Sequence, residues 1–317
     1  MLYVFIKKHS LVSHFFDGLE LDGGIQVVRY PHDRHGRLNS VMRSVEAYLL
    51  WWLPYSWSYR GDYLAQLRRI QPDDSVLYFS MENRKTLQIL HKLVRARKQS
   101  VWFWDPIRSY RKTPLKRWVY KQWLKRSVLQ ACTFDPADAR AFDLELVEQV
   151  FRHDPDDAPD RPKDIDLCFV GTDKGRMPEL VRWKEMFEQR RLTTHFHVAA
   201  DERKTYCAKD RALVADAWIT YADNLAIARR SRCLLELLQH TQSGPTMRSI
   251  EALFFGCKLI TNNAAIVACE FYHPSRIFVI GRDREADLDA FLQLPMEPPS
   301  AELLRKHEIR TWLDRFR

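Results

Sequence analysis

Short apolar runs that read as β-strands alternate with longer stretches carrying apolar residues at helical spacing along nearly the whole chain. That alternation is the strongest constraint on the fold. It predicts parallel strands joined by crossover helices, in sheets covered on both faces. In the first half, strands are expected over 2–6, 25–29, 75–79, 100–104 and 130–134. Helices are expected over 39–52, 59–69, 84–97, 113–128 and 136–142, with Thr113-Pro114 as a cap followed by a first-turn proline. In the second half, strands are expected over 165–170, 194–198, 217–221, 233–238, 258–261 and 277–280, and helices over 178–190, 225–230, 246–255 and 285–292. The pattern breaks twice. Residues 154–164 are acidic and proline-rich, and Ala158 is their one apolar side chain besides proline, which predicts a linker. Pro295, Pro298 and Pro299 precede a terminal helix over 301–316. The expected architecture is α/β: two Rossmann-like domains facing a cleft, with a C-terminal helix. Residues 1–153 form the first domain, 154–164 the linker, 165–294 the second domain, and 295–317 the terminal segment.

A length of 317 residues suits two domains of ordinary size. With 46% hydrophobic residues the chain can bury a core, so disorder as its main state is excluded. No apolar run approaches the roughly 18 residues that a spanning helix needs. The longest candidate, 47–53, stops at Pro54. Residues 1–6 are followed by Lys7-Lys8 with no cleavage-site pattern, and read as a strand rather than a signal peptide. The six cysteines form no C-x-x-C pair, which speaks against zinc or thioredoxin-type chemistry. They read as reduced, buried thiols in a cytoplasmic protein.

Net charge is +9, and it is unevenly placed. Residues 1–155 hold 25 basic and 16 acidic side chains, whereas the remainder holds 25 of each. Between Arg84 and Arg126 there are 14 basic residues and one acid, Asp105. A field that uneven implies an anionic partner for the first half alone.

In open α/β sheets ligands bind beyond the carboxyl ends of the strands. Three segments of the second half fall there. Gly244-Pro245-Thr246-Met247-Arg248 follows a strand and opens a helix, with Thr246 as a cap whose first-turn amides can bind phosphate. Arg248 can add a bidentate phosphate contact, and Glu251, three residues on, can accept ribose hydroxyls. The same spacing also fits a capped helix with a surface ion pair. Gly171-Thr172-Asp173-Lys174-Gly175-Arg176 sets two glycines around a lysine, as in a phosphate cradle, but lacks the G-K-[ST] element of a P-loop. A plain basic turn is the other reading. Asn262 and Asn263 end a third strand, either as sugar or diphosphate contacts or as loop caps. Asp164-Ile165-Asp166 leads into a buried strand and is not a metal motif, so no metal is expected.

The run V-G-T-D-K-G-R-M-P-E-L (170–180) and the run L-L-E-L-L-Q-H-T-Q-S-G-P-T-M-R-S-I-E-A-L-F-F-G-C-K-L-I-T-N-N (234–263) together resemble bacterial glycosyltransferases of lipopolysaccharide and capsule assembly with the GT-B fold. C-T-F-D-P-A-D-A-R-A-F-D-L (132–144) is similar to the block that ends their N-terminal domain. The resemblance covers about 130–282, under half of the chain; Pro245 and Cys257 depart from the pattern without removing a polar group. It implies a nucleotide-sugar donor held by Gly171, Lys174, Arg176, Thr246, Arg248 and Glu251; Gln242 and Asn263 are further donor-site candidates, and no cofactor and no metal are expected. It also implies a glycan or lipid-linked glycan acceptor on the N-terminal domain. A non-catalytic nucleotide- or anionic-polymer-binding protein of the same fold is the alternative.

The acceptor half carries no motif that transfers. Its aromatics accompany its charge: Trp51, Trp52, Tyr55, Trp57 and Tyr59 cluster, and Trp102, Trp104, Tyr110, Trp118, Tyr120 and Trp123 interleave with the basic stretch. This combination suits an anionic membrane surface on the inner leaflet. In the helix from Thr113, Arg117, Lys121 and Lys125 make one basic face, and Leu115 and Trp118 are expected to pack inward. Nucleic acid is not expected, since no recognised binding module is present. An inverting transfer needs a base on the acceptor hydroxyl. Asp105 and Glu82, each just after an expected strand, are the candidates, with His9 and Asp17 similarly placed; an ion pair with its basic neighbours is the other reading of Asp105.

Overall fold

A computed structural model describes the chain except residues 8–9, 20–22, 32–36, 50–55, 57–58, 60, 154–161, 202–203 and 239–241. The expected cluster at Trp51, Trp52, Tyr55 and Trp57, the candidate His9, and most of the expected linker lie outside the described residues. Two compact units are present: Met1–Glu148 with Leu313–Arg317, and Gln149–Trp312.

Unit 1 runs β1 (Leu2–Lys7), α1 (Ser10–Phe16), β2 (Ile25–Tyr30), α2 (Arg37–Tyr48), α3 (Gly61–Arg69), β3 (Ser75–Phe79), α4 (Arg84–Leu93), β4 (Lys98–Phe103), α5 (Ile107–Tyr110), α6 (Pro114–Arg126), β5 (Gln130–Thr133), α7 (Pro136–Phe142) and β6 (Glu145–Leu146). Every strand pairing is parallel, in the order β2-β1-β3-β4-β5-β6. The β1 and β3 runs are buried almost without interruption, as strands covered on both faces must be. Helix starts follow cap chemistry. Asn83 accepts from the Lys85 and Thr86 amides, Thr113 from Lys116, and Asp135 from Ala137 and Asp138. Buried Asp135 and Asp138 also hold Arg108, which fixes the 132–144 block to the segment after β4.

Unit 2 runs β7 (Ile165–Thr172), α8 (Met177–Gln189), β8 (Thr194–Ala199), α9 (Ala208–Arg211), β9 (Val214–Ala215), α10 (Tyr221–Arg229), β10 (Ser231–Glu236), α11 (Met247–Phe254), β11 (Lys258–Thr261), β12 (Ile277–Val279), α12 (Leu288–Gln293), α13 (Ala301–His307) and α14 (Ile309–Leu313), whose last residue belongs to unit 1. Its sheet is also wholly parallel, in the order β12-β11-β10-β7-β8-β9. Renumbered within the unit, this is the strand order of dinucleotide-binding domains, while unit 1 has the flavodoxin-like order. The α/β expectation with two Rossmann-like sheets therefore holds.

Three expectations differ from the structure. No strand forms over 217–221; α10 begins there, because Thr220 and Asp223 exchange side-chain-to-backbone hydrogen bonds in a capping box. The terminal helix is broken at Glu308, where the chain pairs with Phe151 through Phe151 N–H to His307 O and Ile309 N–H to Phe151 O, both 2.8 Å. Leu115 and Trp118 do not pack inward: they are 70% and 60% exposed. The face that packs carries Tyr120, Trp123 and Leu124, and basic side chains flank it. Arg117 donates to Arg111 O, Lys121 to Ala141 O, and Lys125 pairs with Asp143. Of the interleaved aromatics, Trp102, Tyr120 and Trp123 are core residues. All six cysteines are free thiols; Cys132, Cys168, Cys233 and Cys257 are buried, Cys269 is half-buried and Cys207 is exposed. No helix among the described residues is long and apolar enough to cross a membrane.

Candidate functional site

The order of the second sheet reverses between adjacent strands β7 and β10. Chain order runs outward from β7 through β8 and β9 on one side, and from β10 through β11 and β12 on the other. Loops leaving two such strands turn to opposite faces and open a crevice at their carboxyl ends. The two principal sequence motifs meet at this point.

After β7 the chain turns on Lys174 and Gly175, both left-handed, with φ of 43° and 87°. Asp173 is fully buried and organises the turn. It accepts from Met177 N at 2.8 Å, opening α8, and from Lys204 Nζ at 2.8 Å and the Tyr206 hydroxyl at 3.2 Å. Burial works to raise its pKa, but these donors outweigh it, and the pKa is lowered from the ordinary aspartate value. Lys174 is exposed and has no partner among the described residues. Arg176 is fastened instead to main chain: to Leu237 O at 2.7 Å, to Asp173 O at 3.2 Å and to Thr172 O. Its guanidinium lies 5.0 Å from the Phe169 ring centroid, and burial lowers its pKa to about 10. Gly171 makes room for it. A Cβ there would stand 3.3 Å from Phe169 Cζ and 3.4 Å from Arg176 Nη2.

After β10 the chain passes through Gln242, half-buried, and buried Gly244 to Thr246, the cap of α11. Thr246 Oγ1 accepts from Arg248 N at 3.0 Å and donates to Glu236 Oε1 at 2.5 Å. Arg248 turns back toward β7. Its guanidinium donates to Val170 O at 3.2 Å and Asn224 Oδ1 at 3.0 Å, and lies 2.8 Å from Glu251 Oε2. The other Glu251 oxygen accepts from the Tyr221 hydroxyl at 2.9 Å. Burial pushes the Glu251 carboxyl above the ordinary glutamate value, against the opposing effects of Arg248 and Tyr221. The pair is therefore not the exposed i,i+3 bridge of a surface helix: Arg248 is 13% exposed and Glu251 2%. Asn263, at the end of β11, caps the following turn by accepting from Ala265 N and donates to Gly244 O at 3.4 Å.

Glu236 is the residue that the motifs did not disclose. It ends β10, is buried, and has no ion-pair partner among the described residues. Oε1 accepts from Thr246 Oγ1, Ser249 Oγ and Thr246 N, and Oε2 from Thr261 Oγ1 at 2.5 Å. It thus joins β10, β11 and the start of α11. Its one signal in the sequence is an acid inside the apolar run 233–238.

In unit 1 the order reverses between β1 and β3. Glu82, just beyond β3, pairs there with Lys7 at the end of β1 and accepts from Ser80 Oγ at 2.9 Å. Ser80 itself is left-handed, φ 55°. Asp105 follows β4, is exposed, and has no ion-pair or hydrogen-bond partner among the described residues. Both acids line one cavity of about 760 Å³, together with Arg84, Lys85, Arg111 and Lys116. Asp17 pairs with Arg29. Asp164 and Asp166 pair with Arg230 and Arg232.

No family model matches this sequence, and no curated protein does. Among solved structures, the chain is similar to the glycotransferase of kitacinnamycin, with 14% identity over 98% of this chain and 95% of that one, at a TM-score of 0.42. It is also similar to CalG4, the calicheamicin glycosyltransferase, with 12% identity over 99% of this chain and 94% of that one, at a TM-score of 0.33.

Proposed function

We propose that the chain is a GT-B-type glycosyltransferase that moves a sugar from a nucleotide-sugar donor, held by unit 2 without a metal, to a glycan acceptor held by unit 1. One arrangement carries this reading. An exposed lysine on a two-residue left-handed turn, a capped helix start and a buried Arg–Glu pair converge where the second sheet reverses its strand order. Cations and helix-start amides together stabilise a departing diphosphate. Lys174 and the first turn of α11 take that role, with Arg248 oriented by Glu251. Gly171, Arg176 and Asn263 keep the loops in register, and Gln242 borders the entry. A ribose hydroxyl donating to Glu251 replaces the Tyr221 hydroxyl, one O–H donor for another.

Asp105 is the base. It has no partner among the described residues of its cavity, whereas Glu82 is ion-paired with Lys7. Asp105 takes the proton of the acceptor hydroxyl. The oxygen then attacks the anomeric carbon as that carbon's bond to the diphosphate breaks, and the nucleoside diphosphate leaves. The acceptor is a lipid-linked or cell-surface glycan of the lipopolysaccharide or capsule kind, reached at the inner face of the membrane, in keeping with the charge of this half.

Asp105→Asn tests the chemistry. Release of nucleoside diphosphate should fall by about 10²–10⁴-fold, the usual contribution of a positioned base. Donor affinity should be unchanged. Full turnover in Asp105→Asn with loss in Glu82→Gln would transfer the role to Glu82. No release from any donor and acceptor pair would remove the reading.

A further inference from the structure

The cavity at Asp105 does not end at the strand edge. It shares Tyr48, Arg84 and Val119 with a second cavity, of about 990 Å³, which runs between α4 and α6. Pockets for a single small ligand measure about 300–1,000 Å³, so a lone sugar would leave most of this joined space empty.

The chemistry changes along its length. At one end stand the two carboxylates, Glu82 and Asp105. Cations follow. Arg84 lies over the Tyr48 and Trp123 rings, at 5.1 and 5.6 Å, with no acid beside it among the described residues. Arg126 is exposed and also lacks an acidic partner there. The far end is apolar. Leu87, Trp123 and Leu129 form a buried floor, and Trp118 and Val128 form a rim, 60% and 71% exposed. An exposed tryptophan beside exposed aliphatic residues is costly in water unless something covers it. Trp118 and Val119 of α6 are turned to the groove, whereas Tyr120 and Leu124 of the same helix pack into the core.

We propose that the groove binds the acceptor as one amphiphilic ligand: a sugar hydroxyl at Asp105, a phosphate at Arg84 and Arg126, and an aliphatic chain over Trp118, Trp123 and Val128. Naming that ligand as the acceptor rests on the transferase reading above. Charge complementarity selects an anionic head, since Arg84 and Arg126, which stand between the acids and the apolar end, have no acidic partner among the described residues. The aliphatic share of the rim selects an alkyl chain over stacked bases, which need aromatic faces. A bilayer surface would meet the rim and leave the floor unused.

The test is calorimetric titration of the full chain with dodecyl phosphate below its micellar concentration, against inorganic phosphate and dodecyl maltoside. Dodecyl phosphate should bind at least about tenfold more tightly than either. Arg84→Gln and Trp118→Ser should each weaken it about tenfold, the factor that ~1.4 kcal/mol of binding energy represents. Lys112→Gln, an exposed cation outside the groove, should leave it unchanged. Melting curves establish that all three variants fold. Equal binding of dodecyl phosphate and inorganic phosphate would overturn the proposal, as would indifference to both groove substitutions. So would binding to phosphatidylglycerol vesicles without binding of the monomeric amphiphile, which would assign the face to a bilayer. No nucleotide sugar enters this titration, so its failure and the failure of the donor reading are read separately.

Discussion

Glu236 is a buried carboxyl group with no ion-pair partner among the described residues, and its oxygens are met by hydrogen-bond donors. Burying an isolated charge costs several kcal/mol unless hydrogen bonds compensate. Here three hydroxyls and one amide do so, from β11 and the start of α11. The carboxylate also lies at the positive end of α11, where negative charge is stabilised. Glu236→Gln keeps the shape but turns an N–H group toward hydroxyls that donate. The expected loss is about 2–4 kcal/mol, since each hydrogen bond to a charged group is worth ~1.5–3 kcal/mol. It should appear as a lower urea midpoint with an unchanged slope. An unchanged midpoint would mean that the α11 start is held by packing instead. Because Glu236 supports the site without facing it, nucleotide binding should weaken only as far as the loop loosens.

At the scale of elements, the turn between β7 and α8 depends on Asp173. Its folded pKa lies below the unfolded value of about 3.9, so it adds stability above that value. This stability is lost as pH falls through the folded pKa. Urea midpoints from pH 7 to pH 3 should therefore decline less steeply below about pH 4 in Asp173→Asn than in the wild type. Parallel curves would show that Lys204 and Met177 gain nothing from the charge. Elements with strong local signals were legible. Thr113-Pro114 opens α6, and the buried runs of β1, β3 and β11 fall where apolar patterning predicts. Misreadings came where two signals competed. An apolar run suggested a strand over 217–221, but the Thr220–Asp223 capping box won because it satisfies helix-start amides that a strand would leave to a partner. In α6, spacing alone could not tell which face packs, because aromatic and basic residues both recur along it. The face that packs carries Tyr120, Trp123 and Leu124, and the flanking Lys121 and Lys125 are held by the Ala141 carbonyl and Asp143, which come from another segment.

For the whole molecule, two parallel six-stranded sheets each reverse strand order once, and the chemistry-bearing residues gather at or beside those reversals. The alternation of segments was enough to foresee both sheets. The site was legible only in part. Thr246, Arg248 and Glu251 stood out by their spacing, yet their burial, and the Asn224, Tyr221 and Glu236 partners that arrive from other elements, are products of tertiary packing. The charge asymmetry also acquires structure. Much of the basic face of α6 is tied to main chain and Asp143, and Arg84 and Arg126, which have no acidic partner among the described residues, line the groove between α4 and α6. The most direct measurement of the central claim is a thermal-shift panel of nucleotide sugars on wild type and Lys174→Gln. Lys174 is exposed and has no partner among the described residues, so its substitution should leave the fold intact. At about 100 times its dissociation constant, one nucleotide sugar should stabilise the wild type by ~2.7 kcal/mol, raising Tm by several degrees. That shift should shrink in Lys174→Gln and persist in Asp105→Asn. A wild-type protein that no nucleotide sugar stabilises would contradict the account.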